Sequence, residues 1–304
     1  MSAHSSMENM TQDVTTSGAA VAPQIRWNAG PILGGVLIGV LLVAVYYQVL
    51  EKLVMDWWLL PDFSHGFLVP IFAAYMVWTK RKALQAIRPS PSWGGVSIVA
   101  AGLAMLFLGI FGAELFLQRT SLVVVLIGMV LAFGGRQYLK ELRFALLVLL
   151  LAVPVPAIIY TNLTFPLQIL ASRMASALLP LFRVPVLREG NIIELATMNL
   201  GVAEACSGIR SLMSLFTLSV FYGYFFERST VRRTVLALAS VPIAIAANAM
   251  RILGTGLCVQ YWDPDKASGF FHEFSGWVMF LVSLGALFLF HRVMCLFPAN
   301  RGQA

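Results

Sequence analysis

The stretch VAEACSGIRS, residues 202–211, gathers an acid, a thiol and a guanidinium at the start of a long apolar segment. If that segment is a helix, Cys206 lies in its first turn, where the partial positive charge of a helix N-terminus favours a thiolate. Arg210 stands one helical turn further on the same face, so its charge acts in the same direction. Glu204 lies just before the thiol. The pattern indicates a reactive cysteine, and the alternative is a small residue that only packs.

Two further polar residues are expected at the same membrane depth. Arg251 lies about 27 Å beyond Arg233 along a helix, which brings it to the far edge of its apolar segment. Asn248 shares the helical face of Arg251. His272 precedes the last apolar segment, whose start faces the same side of the membrane. The predicted path of the chain across the membrane therefore brings Cys206, Arg251 and His272 to one depth, although they are far apart in sequence.

A thiol, an arginine and a histidine at one depth support acyl transfer. The thiolate would attack a carbonyl carbon, the histidine would move protons to and from the leaving group, and the arginine would steady the oxyanion. Simpler interpretations stay open, because Arg251 can reach the lipid headgroups and His272 can be an ordinary loop residue. Ser64 and His65, in DFSHGFLVP at 62–70, are candidate supporting residues, or they cap the second apolar segment.

The elements that carry these residues are apolar, because the composition is that of a membrane protein. Of the 304 residues 59% are hydrophobic and only 12% are charged, and the mean hydropathy is +0.81. A soluble protein of this length carries roughly twice that charged fraction. The net charge of +7 is spread over the ends of the apolar segments. This distribution argues against a nucleic-acid partner and favours contacts with anionic lipid.

The three cysteines, Cys206, Cys258 and Cys295, are odd in number and include no CxxC pair. We therefore expect no disulfide framework, no metal site and no organic cofactor. Cys258 and Cys295 lack the neighbours that Cys206 has in sequence, and we assign both to packing. His291, at the inner end of the last apolar segment, is assigned to the membrane interface.

Eight apolar segments predict an all-α polytopic membrane protein with about eight transmembrane helices. They are approximately Ile32–Leu50, Gly66–Thr79, Trp93–Ala113, Ser121–Gly134, Phe144–Tyr160, Ala205–Phe226, Thr234–Leu257 and Phe274–Phe290. The region Thr161–Phe182 is broken by Pro166, Arg173 and Pro180, which predicts a re-entrant or interfacial helix on the outer face. Residues 187–205, whose β-branched residues are broken by Gly190 and Asn199, predict a short β-hairpin that leads to the reactive cysteine.

The charges at the segment ends predict the orientation. Most of the 21 Lys and Arg residues fall in loops on one side, and by the positive-inside rule that side is cytoplasmic. We predict a disordered cytoplasmic tail at residues 1–28, one transmembrane catalytic domain at 29–297, and a short cytoplasmic tail at 298–304. Both termini are then cytoplasmic.

Four stretches together resemble the exosortase/archaeosortase family, in its bacterial exosortase branch. They are AEACSGIRSL at 203–212, NAMRI at 248–252, FHEFSGW at 271–277 and WWLLPDFSHGFLVP at 57–70. The resemblance runs from about Trp57 to Phe290 and implies a membrane-embedded cysteine peptidase or transpeptidase. It implies that Cys206 is the nucleophile, Arg251 the essential arginine and His272 the general acid/base. The residues expected in substrate-binding or supporting roles are Arg210, Glu204, Asn248, Ser64 and His65.

The substrates that the resemblance implies are exported proteins with a C-terminal sorting signal, made of a Pro-Glu-Pro motif, one transmembrane helix and a basic cluster. Binding energy from the substrate helix would position the scissile bond just outside the membrane. The enzyme would lie in the bacterial inner membrane with its site facing the periplasm.

Two classes of non-protease remain as alternatives. The first is a transporter or lipid-linked glycan flippase, in which Arg251 and Arg210 bind an anionic headgroup. The second is a membrane component of exopolysaccharide export. The sequence shows no inverted repeat of the kind found in many transporters, which counts against the first alternative.

Overall fold

The computed structural model describes residues 29–196, 199–201, 209–262 and 270–296, with side chains omitted at 29–32, 201, 209 and 270–273. Cys206, Glu204 and the two predicted tails lie outside this part of the chain. Contacts divide the chain into two compact units, Met1–Tyr47 and Gln48–Ala304, and the division falls inside the first helix. The second unit holds every candidate site residue that the structure describes.

Helices make up most of the described chain. The α-helices are α1 (Ala29–Leu59), α2 (Leu68–Thr79), α3 (Arg81–Ala86), α4 (Trp93–Phe111), α5 (Leu115–Met129), α6 (Arg136–Val148), α7 (Ala157–Leu178), α8 (Ile209–Phe226), α9 (Thr230–Tyr261) and α10 (Phe270–Leu296). Short 3₁₀ turns cover Pro61–Phe67, Leu149–Ala152 and Leu179–Phe182, and a π turn covers Val130–Gly134. The strands are β1 (Val186–Glu189), β2 (Ile192–Leu195) and β3 (Asn199–Gly201).

Within the described residues, six helical segments are long and apolar enough to cross a membrane. They are Leu33–Leu59, Trp93–Phe111, Leu115–Gly134, Ala157–Phe182, Thr230–Tyr261 and Phe274–Leu296. The protein is therefore an all-α, multi-pass membrane protein, as predicted. The predicted span Gly66–Thr79 is represented by α2, which has only 12 residues. The predicted span Ala205–Phe226 is represented by α8, and its first residues lie outside the described part.

The predicted span Phe144–Tyr160 is not one helix. Helix α6 ends at Val148, a 3₁₀ turn follows, and α7 begins only at Ala157. Pro154 and Pro156 lie in the interval between them. Each proline lacks a backbone N–H and disfavours a helical conformation at the residue before it, so two prolines only two residues apart divide the apolar run there.

Helix α7 covers the region for which the sequence predicts a re-entrant or interfacial helix. It begins earlier than predicted, runs through Pro166 without a break, and continues as a 3₁₀ turn to Phe182. An internal proline is tolerated in a membrane helix because neighbouring groups satisfy the backbone carbonyl that it frees. The resulting segment has the length and apolarity of a membrane span.

The predicted hairpin is present and is extended by a third strand. Strands β1 and β2 are antiparallel, with Glu189 opposite Ile192, and β3 adds to β2 in the order β1-β2-β3. Gly190 lies in the connecting turn with a φ of +62°, a conformation that glycine adopts without strain. Ile193 of the sheet packs in one core with Leu179 and with Ile252 of α9.

Helices α8, α9 and α10 form the core that carries the candidate site. Leu215 of α8, Leu236 and Ala244 of α9, and Leu287 of α10 are buried together in one cluster. Helix α8 also packs against the Pro61–Phe67 turn, and α9 packs against α10. The segments that bear Asp62, Arg210 and Arg251 are therefore neighbours.

Candidate active site

The first group of polar side chains joins three distant segments around Asp62. Arg210 of α8 places its Nε 3.7 Å from Oδ1 of Asp62. The hydroxyl of Tyr160, on α7, donates a 2.5 Å hydrogen bond to the other oxygen, Oδ2. The Arg210 side chain is 60% exposed, so the ion pair by itself contributes little stability. The contacts orient Arg210 at the start of α8, the end that follows Cys206 in the sequence.

The turn that carries Asp62 packs closely against Trp57. Gly66 lies so close to the indole of Trp57 that a Cβ at this position would overlap the ring. The Trp57 Nε1 donates a 2.8 Å hydrogen bond to the backbone oxygen of Ala152. The Asp62 carboxylate is thereby presented from a fixed backbone.

Ser64 and His65 belong to this turn and do not cap α2. The Ser64 hydroxyl donates to the Pro61 oxygen at 2.9 Å, and the α2 N-cap residue, Phe67, makes no side-chain capping bond. His65 is buried, with Nε2 3.2 Å from the Leu151 oxygen. Burial lowers the pKa of His65, and hydrogen bonds with backbone groups of Leu151 and Asp62 partly oppose that shift. Both residues therefore support the Asp62 turn.

The second group surrounds Arg251 of α9. Its Nε donates to the Ser275 hydroxyl oxygen on α10 at 3.3 Å. A Cβ at Gly276 would stand 3.4 Å from Nη2 of the same guanidinium, so the group lies against this glycine. Asn248, one turn earlier on α9, is buried. Contacts with Ser275 and Gly276 fix the plane of the guanidinium, whose fork of donors suits a carboxylate or an oxyanion.

The sequence predicted that His272 precedes the last helix. In the structure it lies in the first turn of α10. Ser275, which contacts Arg251, follows one turn later on the same helix. The backbone of His272 is thus one turn from the Arg251 contact, and its side chain is not among those described. Cys206 and Glu204 lie outside the described residues, so their assignment remains a prediction.

Several residues of these groups were not foreseen from the sequence. Asp62 stands inside DFSHGFLVP and Ser275 and Gly276 inside FHEFSGW, so the motifs contained them without assigning them a role. Tyr160 had no sequence signal. It lies at a proline-flanked helix start and reaches Asp62 only because α7 packs beside that turn.

The assignments of Cys295 and His291 need correction. The Cys295 sulfur lies 3.4 Å from Nε2 of His291 and 3.7 Å from a carboxylate oxygen of Glu227. His291 is buried and bonded on both ring nitrogens, to Glu227 and to Tyr222. Cys295 therefore has polar neighbours that the sequence did not indicate, and His291 belongs to a buried hydrogen-bonded group. Glu227 follows α8 in the chain, and nothing in the sequence connects it to the end of α10.

Comparison with known protein families assigns the chain. The sequence model of the family described as "Transmembrane exosortase (Exosortase_EpsH)" matches residues 57–289. The matched region contains the Asp62 turn, Arg210 and Arg251 with its contacts on α10. Neither a curated protein nor a solved structure matches the chain. Because the match covers most of the sequence, from α1 to the last turns of α10, the chain belongs to the transmembrane exosortase family.

Proposed function

We propose that this protein is a membrane-embedded cysteine peptidase or transpeptidase that cleaves the C-terminal sorting signal of exported proteins. Family membership supports a membrane exosortase. The observation that carries the chemical proposal is the fixed guanidinium of Arg251, which Ser275 and Gly276 hold one helical turn from the backbone of His272. A preorganised cation at this place suits a developing oxyanion.

The reaction would proceed in two acyl transfers. In the first, the thiolate of Cys206 attacks the scissile carbonyl carbon, and the new C–S bond forms while Arg251 steadies the oxyanion. His272 gives a proton to the departing amine, the C–N bond breaks, and a thioester remains. In the second, an amine or water attacks the thioester, His272 accepts its proton, and the thiol is released.

Arg210 would serve the nucleophile rather than the carbonyl. It follows Cys206 by four residues in the sequence, and its charge would favour the thiolate form. Asp62 pairs with its guanidinium, and Tyr160 donates a hydrogen bond to Asp62. Glu204 and the buried Asn248 are further supporting residues of the proposal.

The proposed substrate is an exported protein whose C-terminal tail has a Pro-Glu-Pro motif, a transmembrane helix and a basic cluster. Its helix would lie in the bacterial inner membrane beside α8–α10, with the basic cluster in the cytoplasm and the motif at the periplasmic surface. Both termini of the enzyme are then cytoplasmic, and anionic lipid contacts its basic loops.

The test is a reporter protein that carries this tripartite tail, produced in one membrane with the full-length enzyme. We expect the wild type to release the tail, and Cys206→Ser to accumulate in the membrane while leaving the reporter intact. Cys258→Ser is the matched control and should process normally. Hydroxylamine, which cleaves thioesters, should release an acyl group from the wild type and from Cys258→Ser, but not from Cys206→Ser. Processing by Cys206→Ser would overturn the proposal, and an uncleaved reporter with the wild type would favour a transporter or flippase.

A further inference from the structure

A second cluster of chemically reactive side chains lies at the opposite end of the helical core. Glu227 follows the last residue of α8, and His291 and Cys295 lie near the end of α10. The imidazole Nε2 is 2.8 Å from the Glu227 Oε1, and the Cys295 sulfur is 3.4 Å from that nitrogen and 3.7 Å from that oxygen. Glu227 and His291 are 7% and 8% exposed. The three potential ligand atoms thus face one point.

This cluster is separate from the candidate active site. Ser275, which contacts Arg251, and Cys295 lie on the same helix, α10, about 30 Å apart at the helical rise. The acyl-transfer scheme uses none of the three residues. A role for the cluster is therefore independent of the proposed function.

Residue types and spacing fit a transition-metal ion. His291 and Cys295 stand one turn apart on one helix face, so both side chains reach the same point. Ligands held 2.0–2.3 Å from a tetrahedral zinc ion lie roughly 3.3 to 3.6 Å apart. The two sulfur distances are close to these values, whereas the shorter His291–Glu227 contact is a hydrogen bond that would lengthen when a metal replaces its proton.

The remaining contacts resemble the supports of a metal centre. The Tyr222 hydroxyl lies 2.8 Å from Nδ1 of His291. A fixed hydrogen bond on the second ring nitrogen orients a ligating imidazole and selects its tautomer. Arg232 lies 3.8 Å from the Glu227 Oε1. The histidine nitrogen is the closer neighbour of that oxygen. A divalent ion bound by one carboxylate and one thiolate would be electrically neutral.

We propose that Glu227, His291 and Cys295 form a binding site for zinc or a chemically similar divalent transition metal. The three groups supply the oxygen, nitrogen and sulfur ligands that zinc accepts, and a fourth position is left for water. Binding deprotonates the thiol, and a metal ion on Nε2 of His291 requires the ring N–H to be on Nδ1, where it donates to the Tyr222 oxygen. The ion ties the α8–α9 connection to the end of α10, and so links two helices that also carry the candidate active site.

The experiment uses the full-length protein purified in detergent, treated with a chelator and titrated with Co²⁺. Cobalt gives a charge-transfer absorption when a thiolate ligates it. We expect this absorption in the wild type, in Cys258→Ser and in Cys206→Ser, and its loss in Cys295→Ser. Tyr222→Phe should weaken Co²⁺ binding roughly 10- to 100-fold, because it removes only the support of the imidazole. An undiminished band in Cys295→Ser, or no band in the wild type, would overturn the proposal.

A measurement on the wild type alone guards against a variant that fails to fold. Zn²⁺ should slow maleimide labelling of Cys295, and a chelator should restore the labelling rate. Cys258, on α9, is the internal control, and its labelling should not respond to Zn²⁺. Equal labelling of Cys295 with and without Zn²⁺ would contradict the metal site whatever the variants show.

Discussion

Arg251 of α9 is held by Ser275 of α10 through a hydrogen bond in which Nε donates to the serine hydroxyl oxygen at 3.3 Å. Gly276, the next residue on α10, lies against the same guanidinium. Because both contacts come from one helix, the orientation of the arginine depends on the packing of α10 against α9. The motif FHEFSGW therefore contains His272 and also the two residues that contact Arg251.

Ser275→Ala should lower the rate of reporter processing by loosening Arg251. A hydrogen bond of this kind contributes about 0.5 to 1.5 kcal/mol, and if it acts in the transition state the rate falls roughly 2- to 10-fold. The loss should appear in kcat rather than in KM, and Ser275→Thr, which keeps the hydroxyl, should restore most of the rate. Ser283→Ala is the matched control, since that hydroxyl donates within α10 to Met279. Equal losses in both alanine variants would refute a positioning role for Ser275.

Arg251→Lys should reduce processing steeply. Lysine keeps the charge but lacks the planar fork that the Ser275 and Gly276 contacts orient. Loss of one oxyanion donor costs on the order of 3 kcal/mol, or about 10²-fold in rate. The pH profile of iodoacetamide alkylation at Cys206 should stay nearly unchanged, because the carbonyl and not the thiol is the partner of Arg251.

Arg210→Ala should move that alkylation profile to higher pH. The substitution removes a positive charge four residues from Cys206 in the sequence, which should raise the pKa of the thiol. Arg210→Lys keeps the charge and should be milder. Alkylation and reporter processing are measured in the same membranes. If Arg251→Lys shifts the pH profile of alkylation and Arg210→Ala does not, the two arginines have the opposite roles.

Gly66→Ala should destabilise the protein. The new methyl group would overlap the indole of Trp57, which is buried and bonded to the Ala152 oxygen. Overpacking of this type costs about 1 to 3 kcal/mol in the free energy of unfolding. Gly285→Ala is the control, because a Cβ there meets nothing within 4 Å, and in a helix interior alanine is favoured over glycine. Thermal unfolding in detergent should therefore shift down for the first variant, and the second should show no such loss.

Acid should destabilise the protein partly through His65. Burial lowers the folded-state pKa of His65 below its ordinary value of 6.5, so the unfolded chain binds the proton more readily. The stabilising contribution is present above pH 6.5 and is lost as the pH falls below it. One proton changes the free energy of unfolding by at most about 1.4 kcal/mol per pH unit. Unfolding followed from pH 7 to pH 5 should be less pH-dependent in His65→Gln, and an unchanged slope would show that His65 is not the group responsible.

Local patterns predicted the class of the fold and some of its elements well. Apolar runs such as Trp93–Ala113 became single helices because an apolar segment in a membrane must satisfy its own backbone hydrogen bonds. The hairpin around Gly190 was predictable because the turn needs a residue that tolerates positive φ. The division at Pro154 and Pro156 also has a local cause, although the run from Phe144 to Tyr160 is mostly apolar.

The composition and order of residues by themselves determined a multi-pass helical membrane protein, a family, and the helices that bear Arg210, Asn248 and Arg251. Only the tertiary structure decided which side chains meet. Tyr160 reaches Asp62, Ser275 reaches Arg251, and Glu227 reaches His291 across separations that no sequence period encodes. Periodicity reports which face of one helix is apolar, whereas a contact between two helices depends on where the backbone of each has been placed by all the others.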